Sequence, residues 1–253
     1  MNSSSNDNSI SLNKFISDTG ICSRREADKL IEQGLVTING RLAKTGNRVE
    51  EGDNVCIDGK PLKPAPKTIY IAFNKPVGIT CTTDIKENGN IISFINHPQR
   101  IFPIGRLDKP SEGLIFLTND GNIVNKILRA GNNHEKEYVV SVDKPITADF
   151  VKRMQNGIPI LGTVTKKCFV RQEGKLVFTI ILTQGLNRQI RRMCQYLGYS
   201  VTRLKRVRIM HVNLGNLKTG AWRYLTPAEI TGINQMVAGS IKTEEASRDS
   251  FGE

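Results

Sequence analysis

The nine residues GKPLKPAPK, 59–67, limit what this chain can fold into more than any other stretch. Each proline fixes its own φ and lacks a backbone N–H, so three of them in nine positions exclude a helix interior and a central strand. Lysines and a glycine fill most of the remainder, a composition that predicts an extended, solvated linker. A chain of 253 residues interrupted here is expected to form two bodies, a small one over 10–58 and a larger one over 68–235.

The ends are sparse. Residues 1–9, MNSSSNDNS, offer nothing to bury and are expected to be disordered; residues 236–253 read as a flexible C-terminal tail. The N-terminus has neither the apolar core of a signal peptide nor the basic character of a transit peptide. No apolar run approaches the roughly 18 residues that read as a membrane span. The five cysteines (22, 56, 81, 168, 194) are odd in number and widely spaced, and the three histidines form no paired motif. These features argue against a disulfide framework and against a metal site, and for reduced thiols in a cytoplasmic protein.

In the small body, Leu12, Phe15 and Ile16 have helical spacing ending near Gly20. Ser23 and Glu26 then form an S-x-x-E capping box, followed by Ala27, Leu30 and Ile31 on one helical face and a stop at Gly34. LVTING turns at Asn39–Gly40, and NVCID follows a Glu51–Gly52–Asp53 turn, so two short helices precede small strands. The larger body opens on a strand, TIYIAF. Strand-like runs recur at Leu114–Thr118, Tyr138–Val142, Leu176–Leu182 and Arg206–Leu214, with helical segments near Val124–Ala130, Ala148–Asn156 and Asn187–Leu197. The order does not alternate as in a parallel α/β sheet, so the expected class is α+β with a largely antiparallel sheet and flanking helices.

Charge separates the bodies. Residues 1–60 hold 8 Lys and Arg against 9 Asp and Glu, whereas residues 61–235 hold 26 against 11. So concentrated a basic field points to an acidic partner, most often nucleic acid. Between 188 and 208 there are seven Lys and Arg and no acid, yet Ile190, Met193 and Leu197 anchor the segment: a basic surface on a packed scaffold. Within the basic body, Asp108 stands between Arg106 and Lys109, just before the apolar strand of GRLDKPSEGLIFLTNDG. A pure RNA binder has no use for an acid there, since it would repel phosphate. In the small body, Arg24 and Arg25 occupy a first helical turn, where the helix dipole disfavours cations; this suggests a functional reason for them.

Two resemblances organise these features. The run LNKFISDTGICSRREADKLIEQGLVTINGRLA…VEEGDNV, about residues 10–58, resembles the S4 domain, a small RNA-binding module. The resemblance implies Ser23, Arg24, Arg25, Lys29, Asn39 and Arg41 as candidate phosphate and sugar contacts. NKPVG, GRLDKPSEGLIFLTNDG, KEY and GLNRQIRRM, in this order and at these gaps, resemble the pseudouridine synthases of the RsuA/RluF type, and HEKEY, ILGTVTKKC and GLNRQIRRMC lean toward the RluF-like branch. Such enzymes detach uracil from C1′ of a uridine already in RNA, turn it and rejoin it through C5. This isomerisation needs no redox cofactor, in keeping with the lack of a GxGxxG or Walker loop.

The resemblance implies Asp108 as the essential carboxylate, which must be ionised yet shielded from water. It implies Arg191 as the basic residue paired with it, and Tyr138 as a ring that stacks on the extracted uracil and can shuttle a proton. Arg106, Leu107, Lys109, Arg188, Gln189, Ile190 and Arg192 are the candidate RNA contacts around them. Arg106 is placed to fill the space of the flipped base, and Arg203, Lys205, Arg206 and Arg208 form a wider footprint. The expected partner is ribosomal RNA of the large subunit, with transfer RNA as an alternative or additional substrate. The expected state is a monomer with no cofactor, no metal and no membrane. The competing readings are a non-catalytic RNA-binding or ribosome-assembly protein, and a hydrolase, which would want a second acid or metal ligands.

Overall fold

The computed structural model describes residues 9–128 and 133–239. The chain divides into two compact units, one drawn from residues up to 68 with the short segment 98–100, the other from residues 69–97 and from 101 onward. In the first unit β1 (Ile10–Ser11) leads into α1 (Leu12–Asp18) and then α2 (Arg24–Glu32). Ser23 caps α2 as its sequence predicts. Its Oγ accepts from the Glu26 N–H at 3.2 Å, and the Glu26 carboxylate accepts from the Ser23 N–H at 2.7 Å. Ala27 and Ile31 face the core, and Gly34, at φ +72°, follows the helix.

β2 (Val36–Ile38), β3 (Arg41–Leu42), β4 (Arg48–Val49), β5 (Val55–Ile57) and β6 (Lys60–Pro61) complete this unit. The main sheet runs β3–β2–β5–β6, while β4 pairs with β1. Asn39 and Gly40 both take positive φ, 51° and 79°, the conformation that a two-residue hairpin turn demands. The structure departs from the expected linker at its start. Lys60–Pro61 pairs antiparallel with β5, and the Leu62 N–H donates to the Val55 carbonyl at 2.9 Å. Pro61 is tolerated because it lies on an edge strand.

The second unit contains, in order, β7 (Tyr70–Lys75), α3 (Ile91–Ile95), β8 (Phe102–Ile104), β9 (Glu112–Thr118), α4 (Gly121–Leu128), β10 (Lys136–Val142), α5 (Ala148–Asn156), β11 (Pro159–Ile160), β12 (Thr163–Val164), β13 (Phe169–Gly174), β14 (Val177–Leu182), α6 (Gln189–Tyr196), β15 (Val201–Ile209), β16 (Val212–Asn213), β17 (Trp222–Tyr224) and α7 (Pro227–Val237). Its sheet runs β13–β14–β10–β15–β9–β7–β17, with β8 beside β9 and β16 beside β15. The pairings are antiparallel except for β15 on β9. This is the expected α+β architecture. All seven residues of β9 are buried, which explains its unbroken apolar run: Leu114 and Phe116 face one core, Ile115 and Leu117 another. A third core lies under β10 and β14, covered by α5 and α6.

Several boundaries differ from the sequence reading. The strand expected at Arg206–Leu214 starts at Val201 and reverses at Met210 (φ 53°) and His211, before β16. The helix expected from Asn187 starts at Gln189. Helix α7 was not anticipated, although Thr226, Pro227 and Glu229 spell a capping box with proline at the first turn. Ile233 and Val237 on it are buried, so ordered structure continues past 235. The remainder of the expected tail, and residues 1–8 of the expected disordered terminus, lie outside the described residues.

One glycine sets the seam between the two halves of the sheet. Gly113 in β9 has φ +108° and pairs with Arg206 of β15; a Cβ there would sit 2.2 Å from the Arg206 carbonyl oxygen. No L side chain fits without parting the two strands. Gly113→Ala is therefore expected to destabilise the protein by about 3 kcal/mol or more, combining overpacking with an unfavourable φ. Gly121→Ala, at a helix start with no atom within 4 Å of its Cβ, should stay within about 0.5 kcal/mol of the parent. Denaturant unfolding of the two variants checks this; equal stability would mean that β9 and β15 do not approach so closely.

Candidate active site

The loop between β8 and β9 carries Asp108, and its backbone is fixed at several points. Leu107, 7% exposed, turns into the core, and its N–H donates to Cys81 Sγ at 3.4 Å. The Lys109 carbonyl accepts from the Gly78 N–H at 2.8 Å, and the Asp108 carbonyl from the Ser111 N–H at 2.9 Å. Gly78 belongs to the NKPVG turn. That turn is organised by Lys75, a fully buried ammonium that donates to the carbonyls of Pro76 and Ile79 at 2.9 and 2.8 Å. With Leu107 held inward, the Asp108 side chain is left partly exposed at the mouth of a cleft of about 350 Å³.

Helix α6 supplies the opposing wall. Arg191 donates to the carbonyls of Val201 and Pro110, both at 3.2 Å, and to Ser111 Oγ at 3.1 Å. Its buried Nε has no hydrogen-bond partner among the described residues and lies 3.9 Å from Asp108 Oδ2. Arg188 Nη1 reaches the same oxygen at 4.0 Å. Burial, followed by the neighbouring Arg188, pulls the Arg191 guanidinium below its ordinary pKa, while Asp108 pushes it back up; a guanidinium so placed stays charged. Arg188 adopts φ +50° at the helix start, an uncommon conformation for a side chain of this size. The separation of 83 positions between Asp108 and Arg191 is thus closed in space, as the sequence reading requires.

The floor comes from β10 and β15. Tyr138 stands opposite Arg206 in the ladder, and the Arg206 guanidinium lies 5.9 Å from the Tyr138 ring centroid. Leu182, Leu204 and Ile190 add apolar surface. The cleft therefore joins a carboxylate flanked by cations to an aromatic ring in a partly apolar slot. Such a place can hold a planar, uncharged ring beside a carboxylate.

The remaining predicted residues divide. Arg106 is exposed where it lines the cleft, and Lys109 is exposed with its Nζ 3.9 Å from Glu87 Oε1. Gln189 and Ile190 are buried. Gln189 Oε1 accepts from the Leu186 N–H at 3.0 Å, and Arg192 donates to the carbonyl and side chain of Asn187 at 3.0 and 3.1 Å, so these residues shape the loop before α6. In the small unit, Arg24, Arg25, Lys29 and Arg41 are exposed, whereas Ser23 is engaged in its capping box and Asn39 bonds Asp53 at 2.7 Å.

The expected footprint of Arg203, Lys205, Arg206 and Arg208 does not form one basic surface. Arg203 pairs with Glu112 of β9 at 2.5 Å, and Arg208 pairs with Glu137 at 2.8 Å and Glu135 at 3.0 Å. Arg206 is 4% exposed and faces the cleft. The acids missing from the local sequence arrive from neighbouring strands. Sequence reasoning also missed Lys136 as part of the cleft wall, although its spacing of two from Tyr138 on a strand puts both on one face.

Comparison with known proteins agrees with this geometry. The family model described as RNA pseudouridylate synthase matches residues 69–196, and the S4 domain model matches residues 11–55. A dual-specificity RNA pseudouridine synthase RluF of Salmonella typhi is 59% identical over 92% of this chain and 82% of its own length; that of Escherichia coli K12 is 57% identical over 92% and 81%. The ribosomal large subunit pseudouridine synthase B of Bacillus subtilis is 33% identical over 89% and 96%. A crystal structure of a pseudouridylate synthase superposes with a TM-score of 0.66 at 29% identity, over 88% of this chain and 99% of that one. A carboxylate between guanidiniums in a cleft with an aromatic wall, in a domain that follows an S4 domain in the sequence, is thus accounted for by descent: the chain belongs to the RNA pseudouridine synthases of the RsuA/RluF type.

Proposed function

We propose that this RNA isomerase acts on a folded segment of large-subunit ribosomal RNA and that Asp108 is the carboxylate that works on the flipped uridine. The observation that carries the reading is the placement of Asp108, with Arg191 at 3.9 Å and Arg188 at 4.0 Å, over a slot lined by Tyr138. A uridine in a stem cannot reach this carboxylate, so the base has to leave the stack at a cost of about a few kcal/mol. Arg106 then replaces it in the duplex, while Lys109 and Arg188 hold the flanking phosphates. Tyr138 packs against the extracted ring. Leu107, Gln189, Ile190 and Arg192 act by shaping the walls, and Arg24, Arg25, Lys29 and Arg41 offer the S4 module's cations to RNA. A cytoplasmic location fits such a substrate, and no helix among the described residues is long and apolar enough to cross a membrane.

A second substrate, transfer RNA, is favoured by the relatives at 57–59% identity, which are named dual-specificity enzymes. Conversion assays on transcripts of both RNAs decide between one substrate and two. A role confined to RNA binding or ribosome assembly leaves the Asp108 placement without purpose and does not fit membership in an enzyme family.

Asp108→Asn keeps nearly the same shape and is expected to bind a ribosomal RNA transcript with little change in affinity while converting none of its uridine. Conversion at the parental rate would overturn the assignment. Binding should also weaken steeply with salt, and Lys109→Ala and Arg188→Ala, each removing one phosphate contact, should each lower the slope of log K against log salt by about 1. An unchanged slope would remove that residue from the phosphate contacts.

A further inference from the structure

Two cations in the cleft have no part in the roles described above. Lys136 is 7% exposed and Arg206 is 4% exposed, yet both line the same space as Asp108 and Tyr138. They come from adjacent strands. Lys136 sits two positions before Tyr138 on β10, and Arg206 pairs with Tyr138 from β15, so all three project from one face of the sheet. Both are underused as donors. Among the described residues Lys136 Nζ donates to the His134 carbonyl alone, at 3.1 Å. Arg206 Nε donates to the Leu114 carbonyl at 2.6 Å, whereas its buried Nη2 has no partner among the described residues.

Among the described residues neither cation is paired with a carboxylate, in contrast to Arg203 and Arg208 on β15. Burial and the nearby Arg206 pull the Lys136 ammonium down to about 8, still mostly charged at neutral pH. Two buried cations side by side, one with an orphaned N–H, are costly unless something negative arrives between them. The phosphate backbone is a poor occupant, because both cations are almost fully buried and share the cleft wall with Leu182 and Leu204.

We infer that Lys136 and Arg206 form an oxyanion site for the departing uracil, binding its carbonyl oxygens as the base takes on negative charge. The inference rests on the reading of Asp108 given above. When the C1′–N1 bond breaks, its electron pair stays on the base, and the charge spreads to O2 and O4. Asp108 meets the electron demand at the sugar. The base then re-attacks C1′ through C5, the C5 proton is lost, and N1 gains one, so the sum is an isomerisation. The charge exists only between these steps. Donors fixed before the reaction therefore favour the intermediate over the bound uridine, and they rotate with neither RNA nor solvent.

Lys136→Met and Arg206→Met test this. Both variants should keep RNA affinity while single-turnover conversion of uridine falls by about 100-fold or more, the loss typical of one oxyanion donor. The second measurement uses the same transcript with 5-fluorouridine at the target, whose base is a better leaving group, and follows loss of the N-linked nucleoside after digestion. The penalty for each variant should be clearly smaller on that substrate. A merely structural defect would slow both substrates equally, and that result overturns the proposal, as does parental activity. Weakened RNA binding with an unchanged rate would instead make these cations backbone contacts and also overturns it. Failure of the Asp108 reading is seen separately, in an active Asp108→Asn.

Discussion

The architecture around the cleft depends on one guanidinium. Arg191 donates to Pro110, Ser111 and Val201 and leaves its Nε facing Asp108. It thus ties the loop after β8, the helix α6 and the start of β15 into one body. A lysine in its place has one compact ammonium and could not serve three directions at once. Everything else about Asp108 follows from this tie. The loop is kept from swinging by backbone bonds to Gly78 and Ser111, and Leu107 is buried beside it, so the carboxylate stays between the two arginines and above the Tyr138 slot.

Beneath that tie lies a strand pairing. β9 and β15 run parallel through Gly113 and Arg206, with no room for a side chain between them. Arg206 can therefore donate from Nε to the Leu114 carbonyl of β9 while its buried Nη2 has no hydrogen-bond partner among the described residues. The sheet is the device that brings Asp108, Tyr138 and the start of helix α6 around one cleft. Its five cysteines are free, so no disulfide contributes to this arrangement among the described residues.

Much of this was legible in the sequence, and what was not has a common physical cause. The capping box at Ser23, the Asn39–Gly40 turn, the buried strand at Leu114–Thr118 and helix α5 are local, and local chemistry announces them. The juxtaposition of Asp108, Tyr138 and Arg191 came from family resemblance, since nothing in the spacing of 30 and 53 positions fixes a contact. The reading failed where cross-strand partners decide. The stretch 188–208 holds no acid, yet Arg203 and Arg208 are neutralised by Glu112, Glu135 and Glu137 from other strands. For the same reason Arg206, read as part of a surface footprint, is buried, and Lys136, given no role from the sequence, is part of the cleft. A Pro61 that reads as linker still pairs, because an edge strand asks little of it.

Mapping pseudouridines across total RNA from cells with and without this protein tests most directly whether an acid set among these arginines modifies RNA. At least one pseudouridine in the large-subunit ribosomal RNA should vanish with the protein and return with the parental sequence, while other sites keep their occupancy. An unchanged map would contradict the assignment, however well the chain binds RNA.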